Sequence, residues 1–307
     1  MNNKVIIIVV AVVVAAVAVV LVTSALGIIP LSIPGLSFGK SLPSNGFVYV
    51  IGAYPNVPTL VRDVVYGHEL RGLGSSEGVG SLTPSAVQYI LKLVKNGNDY
   101  VITYGNPKAS VWLLEFLDPV CPYCSIFDVY NFSQIAPLIR SGQVYYIAVY
   151  FPTHALGYYQ AYAQDPNASV LLTAFNDSVA LWLQWKCISS VNASQTLSVI
   201  NETYIADFMY GLVPYVEYNN QAYLIYYPIF SYSLINKTHP ECSITLKPTQ
   251  AVNITNNALN QVNNIIPLLI PKNLQGNVGT PLFIIMKNPL LAYSLTMVRF
   301  GSVNAYL

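Results

Sequence analysis

The chain has 307 residues, of which 54% are hydrophobic and only 9% charged, with a net charge of +1, where a typical soluble domain carries about a quarter charged residues. A near-neutral chain with no basic cluster excludes a nucleic-acid partner held through its phosphates. Polarity comes instead from Asn, Ser, Thr and 24 tyrosines, groups that do not titrate at moderate or acidic pH, and this points to surroundings that are hot, acidic or both.

Residues 5–29 form an uncharged, Val-rich run long enough to span a bilayer. A secretory signal has a shorter apolar region, and Thr23-Ser24-Ala25 is a poor cleavage site. The run therefore reads as an uncleaved transmembrane signal anchor over 1–30, with a removed signal peptide as the alternative. Lys4 ahead of it places the N-terminus in the cytoplasm and the body outside the cell membrane. Residues 31–46, rich in Pro, Gly and Ser, make a linker. The remainder, about 260 residues, is enough for one large domain or a core with an insertion.

Residues 47–98 read as an accessory N-terminal segment, a small extra layer. Phe47–Ile51 and Leu60–Tyr66 suggest strands or edge pieces, Gly72–Gly80 a flexible loop, and Leu82–Lys95 a helix capped by Thr83 or Ser85 and stopped by Gly97. Strands are expected at Asp99–Tyr104 and, as a buried apolar run, at Val111–Leu117. Asp118-Pro119 breaks that run and shapes a turn. Cys121-Pro122-Tyr123-Cys124 then opens a helix expected to continue to Arg140. A cysteine near a helix N-cap meets unpaired N–H groups and the positive end of the helix dipole, both of which favour a thiolate. Cys124, one turn on, lies under it, and Pro122 is tolerated at the first helical position. Such a C-x-x-C is also half of a zinc site, with His239 and Cys242 as the other half. Against zinc, no tight knuckle surrounds either pair. Haem attachment is excluded because Ser125 stands where C-x-x-C-H needs histidine.

With Gly105–Ser110, Leu114–Asp118 and Cys121–Cys124 read together, the stretch resembles the DsbA-like branch of the thioredoxin superfamily. Val278–Ile285 resembles that family's Thr-Pro loop and following core strand. The resemblance covers about 99–153 and 278–300. It implies an α/β, thioredoxin-like core (99–154 and 276–307) with a large, mainly helical insertion (155–275). It further implies that Thr280-Pro281 is cis, faces the dithiol and, with Pro122 and Tyr123, receives an extended substrate. Relatives carry an acidic residue at the place of Glu115, where it assists proton transfer beneath the dithiol. The plainer alternative is a Glu paired with a Lys at a sheet edge.

A buried parallel strand is expected at Val144–Phe151. His154 follows it within reach of the dithiol, although a lone loop histidine is ordinarily a surface residue. Helical spacing recurs at Ser178–Ser189 and 256–270. The Tyr-rich 203–233 stretch fits helix or strand, and its tyrosines suit packing or substrate binding. If Cys121 and Cys124 are the working dithiol, Cys187 and Cys242 remain. They form a structural disulfide, two free thiols or a second redox couple. N-x-S/T sequons stand at Asn131, Asn167, Asn176, Asn192, Asn201, Asn236 and Asn253, and all but Asn131 are expected to be glycosylated and exposed. That would suit an archaeal cell surface, with plain Asn/Ser/Thr richness as the alternative. After a strand at 282–286, Ser294–Phe300 suggests another, and no terminal helix remains to cover one sheet face, so the helix at 82–95 is expected to do so.

The combined expectation is an extracytoplasmic, membrane-anchored thiol-disulfide oxidoreductase in which Cys121 attacks and Cys124 resolves. No metal or organic cofactor is needed. Its partners are exported proteins with thiols or disulfides and a redox partner that resets the dithiol. Pro-Tyr between the cysteines resembles oxidase-like members, favouring disulfide formation. Alternatives are a reductase or isomerase, or a non-catalytic glycosylated surface protein.

Overall fold

The computed structural model describes residues 39–52, 54–95, 98–218, 221–226 and 228–290. The apolar run 5–29 and the strand expected at 294–300 lie outside them. Among the described residues, no helix is long and apolar enough to cross a membrane.

Strand β4 (Val111–Leu117) is buried along its whole length. Its alternate residues feed two cores: Val111, Leu113 and Leu117 on one face, Trp112, Leu114 and Phe116 on the other. A strand apolar on both faces belongs at the centre of a sheet covered twice. It pairs in parallel with β5 (Val144–Tyr150) and antiparallel with β8 (Leu282–Lys287). The whole sheet runs β2-β1-β8-β4-β5-β3, with β1 at Gly46–Ile51, β2 at Glu77–Ser81 and β3 at Val101–Tyr104.

Three expectations for 47–98 change. Its strands are not a separate layer: β1 hydrogen-bonds directly to β8. The stretch expected as strand at 60–66 is helix α1 (Val57–Tyr66), burying Val57, Leu60, Val61 and Val64. That spacing is helical, and burial of one face outweighs the weak helix propensity of valine. The supposed loop 72–80 ends in β2. Gly78 and Gly80 lie beneath the rings of Tyr49 and Phe47, where a Cβ would collide with them. Here glycine makes room for an aromatic cover.

Helix α2 (Pro84–Lys95) is capped by Thr83, whose Oγ1 accepts from the Ala86 N–H at 3.2 Å. Together with the end of α9 (Pro248–Leu269) it covers the Trp112 face. The helix expected over 125–140 is broken into α3 (Pro122–Tyr130), a 3-10 turn and α4 (Ala136–Arg140). Pro137 sits in the first turn of α4, where its missing N–H is tolerated.

The insertion holds α5 (Thr153–Gln164), α6 (Ser169–Val191), α7 (Thr196–Tyr210) and α8 (Ile229–Thr238), plus the hairpin β6–β7 (Leu212–Tyr218, Gln221–Tyr226). Of these, α6 and α7 pack on the face of the sheet that carries α3. Trp182 stacks on Tyr150 with centroids 4.8 Å apart, and its Nε1–H donates to the Asp99 carbonyl at 2.8 Å. Cys187 in α6 is disulfide-bonded to Cys242, so Cys242 is not free to complete a zinc site with His239.

The sequons divide. Asn167, Asn192 and Asn253 are exposed. Asn176, Asn201 and Asn236 are not, which corrects the expectation of six presented acceptors. The Nδ2 of Asn201, the atom a glycan would need, donates to the Asp128 carboxylate at 2.6 Å. The Oδ1 of Asn176 is buried, and that of Asn236 accepts from Gln184 at 2.8 Å. Asn131 is half-buried at the end of α3.

Candidate active site

The site forms where two parallel strands end side by side. Leu117 and Tyr150 are paired in register, and Cys121 and His154 each lie four residues beyond that pair. The turn after β4 is tied by Asp118. Its carbonyl accepts from the Cys121 N–H at 3.0 Å and from the Tyr204 hydroxyl at 3.2 Å. Its Oδ1 accepts from the Val120 N–H at 3.1 Å. Its Oδ2 accepts from the N–H groups of His154 and Ala155, at 2.8 and 3.0 Å. Pro152, which precedes α5, has no side chain to cap it, so a carboxylate from a neighbouring strand end satisfies the first turn of that helix.

Cys121 is the N-cap of α3, with an extended backbone (φ −81°, ψ 118°), and its Sγ accepts from the Cys124 N–H at 3.4 Å. Pro122 occupies the first helical position and Tyr123 is 54% exposed. Both thiols are free and buried. The loop before β8 closes over them: Thr280-Pro281 is cis, and the Cys121 thiol donates to the Thr280 carbonyl at 3.3 Å. The Gly52 N–H at the end of β1 holds the Pro281 carbonyl at 3.2 Å. A groove of about 410 Å³ runs beside this loop, lined by Ile51, Gly52, Tyr123, Asn277, Gly279, Thr280 and Pro281.

The two thiols differ in acidity. Burial by itself would raise Cys121, but hydrogen bonds from Cys124, His154 and Thr280, with the charge on His154, hold it well below the ordinary thiol value. Cys124 is pushed well above by burial, by its hydrogen bond to Cys121, and by the negative charges of Cys121 and Glu115. Only one thiolate forms readily, and it is the outer one.

Glu115 lies under the dithiol on the α3 face of the sheet. Burial pushes its carboxyl up to about 8, against the Tyr146 hydroxyl that donates to Oε2 at 2.8 Å. A lysine partner is therefore not its fate. A neutral, buried carboxyl can hold or release a proton near neutral pH. Burial also raises Asp118 to about 6, opposed by the positive charge of His154.

His154 is the residue whose place the sequence misjudged. It is half-buried in the first turn of α5, and its ring Nδ1 lies 3.3 Å from Thr280 Oγ1. The signal that reveals it is the equal offset of Cys121 and His154 past paired parallel strands, which requires the register to be known.

Residues 97–196 match the family model described as Thioredoxin. The chain carries a thioredoxin-like domain. The inserted helices enter between β5 and the Thr280-Pro281 loop. The oxidised form of BdbD from Bacillus subtilis is similar at 17% identity, over 65% of this chain and 89% of that one, with a TM-score of 0.32. BcfH from Salmonella enterica Typhimurium is similar at 14%, over 67% and 70%, with a TM-score of 0.36. MdbA from Actinomyces oris, a thiol-disulfide oxidoreductase, is similar at 14%, over 73% and 98%, with a TM-score of 0.35. No curated protein matches. A dithiol of unequal acidity beside this loop is chemically able to exchange with a thiol or disulfide brought into the groove.

Proposed function

We propose that the chain is an extracytoplasmic thiol-disulfide oxidoreductase, held to the cell membrane through residues 5–29, that forms disulfides in exported proteins. The observation that supports this reading is the Cys121–Cys124 pair at the mouth of α3, closed over by the cis Thr280-Pro281 loop, with the Cys121 thiol more acidic than an ordinary thiol and the Cys124 thiol less so. A stabilised outer thiolate stabilises the reduced form, and a stabilised reduced form makes the disulfide oxidising.

In the oxidising direction a substrate thiolate attacks Cys121 Sγ of the Cys121–Cys124 disulfide. The S–S bond breaks, Cys124 leaves with the electron pair, and the Glu115 carboxyl protonates it. A second substrate thiolate then attacks the substrate sulfur of the mixed disulfide and expels Cys121 as the thiolate. The substrate loses two electrons and the enzyme dithiol gains them, until a redox partner removes them again. The exchange is carried by sulfur alone and calls for no metal or organic cofactor. Thr280, Pro281, Pro122 and Tyr123 line the path of the substrate chain, and the groove beside Gly279 has room for it.

The test is oxidation of a dithiol peptide by wild type, Cys121→Ala and Cys124→Ala. Loss of turnover in both variants, with a trapped mixed disulfide on Cys121 in the second, is expected. Equal turnover in wild type and Cys121→Ala would leave a non-catalytic surface protein. A reduction potential near the thioredoxin value, about −270 mV, would turn the reading toward a reductase.

A further inference from the structure

Tyr123, between the two cysteines, is largely exposed and brings no charge to the thiolate. Yet Cys121 is buried, and a buried thiolate requires a compensating cation or donors. The α3 N-terminus supplies donors: the Cys124 N–H is at 3.4 Å. The cation has to come from another element.

We propose that His154 is a catalytic residue, the imidazolium that holds Cys121 as a thiolate, and that through Thr280 it ties this charge to the loop that receives substrate. The proposal rests on the reading of Cys121–Cys124 as an exchange site and adds to it the residue that sets its potential.

Three contacts fix the ring. Its own N–H group in the backbone is held by Asp118 Oδ2 at 2.8 Å, so the first turn of α5 cannot drift from the dithiol turn. Nδ1 meets Thr153 Oγ1 and Thr280 Oγ1, each at 3.3 Å, and those hydroxyls lie 3.1 Å from one another. Cys121 Sγ meets the same loop, 3.3 Å from the Thr280 carbonyl, so the imidazole and the thiol share Thr280 as a neighbour and Cys121 acts on the ring through it and through charge. The titratable groups facing the imidazole are Cys121 from the start of α3 and Asp118 from the preceding turn, both of which favour its charged form. Thr153 and Thr280 are neutral. Beneath Cys121 stand Cys124 and Glu115, and behind Asp118 stands Tyr150; none of these brings a second positive charge.

The consequence is directional. While His154 is protonated, Cys121 is a good leaving group and the disulfide is oxidising. As pH rises and the imidazole loses its proton, that support is withdrawn and the dithiol becomes a weaker oxidant. A substrate strand that engages Thr280 touches the same network, so docking and leaving-group stabilisation share one residue.

The experiment follows the ultraviolet absorbance of the Cys121 thiolate against pH in wild type, His154→Gln and, at an exposed histidine outside the site, His68→Gln, all reduced. Glutamine keeps a donor toward Thr280 without the charge. In His154→Gln the Cys121 titration is expected to move up by about one unit or more. The equilibrium with glutathione is expected to shift about tenfold toward the protein disulfide, one unit being a tenfold change. In His68→Gln the Cys121 thiolate is expected to form over the same pH range as in wild type. Nuclear magnetic resonance of wild type supplies a reading independent of any variant: the His154 ring should lose its proton at lower pH once Cys121 is oxidised. A His154→Gln titration matching wild type, or a His154 ring indifferent to Cys121 oxidation, would overturn the proposal while leaving the exchange reading intact. If Cys121 titrates as an ordinary thiol in wild type, the exchange reading itself fails.

Discussion

Cys121 and Cys124 sit at a helix mouth, unbonded, with titratable neighbours on every side and a groove within reach. Cys187 and Cys242 tie a long helix to a 3-10 turn across 55 residues of sequence, with Cys242 deeply buried. The same element has two uses here, set by surroundings. Convergent donors and a cation keep one pair poised for exchange; packing against α6 keeps the other pair shut.

The sharpest way to break this comparison is to remove the second pair. Cys187→Ser with Cys242→Ser is expected to cost about 4 kcal/mol in the loop-entropy description. It should lower the melting temperature by roughly 10 °C and leave dithiol oxidation at moderate temperature intact. A large loss of turnover in the still-folded variant would mean that the second pair takes part in electron transfer.

Glu115→Gln acts on the first pair alone. The amide keeps a partner for Tyr146 but cannot give a proton to Cys124. The rate of the step that releases Cys124 is expected to fall about a hundredfold, the lower end for a positioned acid, with the thiolate titration of Cys121 little moved. An unchanged rate of mixed-disulfide formation would assign Glu115 to packing.

A smaller effect distinguishes the surroundings by pH. Burial raises Glu115 from 4.5 to about 8, Asp118 from 3.8 to about 6, Asp128 from 3.8 to about 7 and Asp207 from 3.8 to about 8. The folded chain therefore keeps protons that the unfolded chain releases. Stability from these groups is full below about pH 4 and is lost as pH rises through 6 to 8. The carboxylate pairs of Arg71 with Glu69 and His239 with Glu241 are local contacts, and acid finds little to break in them. The melting temperature is expected to be higher at pH 4 than at pH 8, by about 5 °C or more. A fall on acidification would contradict it, and the low charge content would then need a different explanation.

The sequence made the centre of the site legible because its parts are local. A buried run, a breaking Asp-Pro and a C-x-x-C placed β4, the turn and the start of α3, though not its end at Tyr130. The Thr-Pro loop was legible by resemblance. What escaped depends on distant residues. His154 gains its meaning from the pairing of Leu117 with Tyr150. β2 was hidden by glycines whose purpose is to admit rings from β1. Helix α1 was hidden by valines whose spacing outweighed their type. Asn201 looked like an acceptor until Asp128, far off in sequence, claimed its amide.

β8 lies between β1 and β4, although it is the last of the described strands to leave the ribosome. Until residues 282–287 have emerged, the two halves of the sheet have no seam, and the loop that closes on Cys121 does not exist. A nascent chain thus carries its sulfur pair without the apparatus to use it. Competence arrives in one stroke, when the final strand slides home and joins the earliest part of the body to the middle.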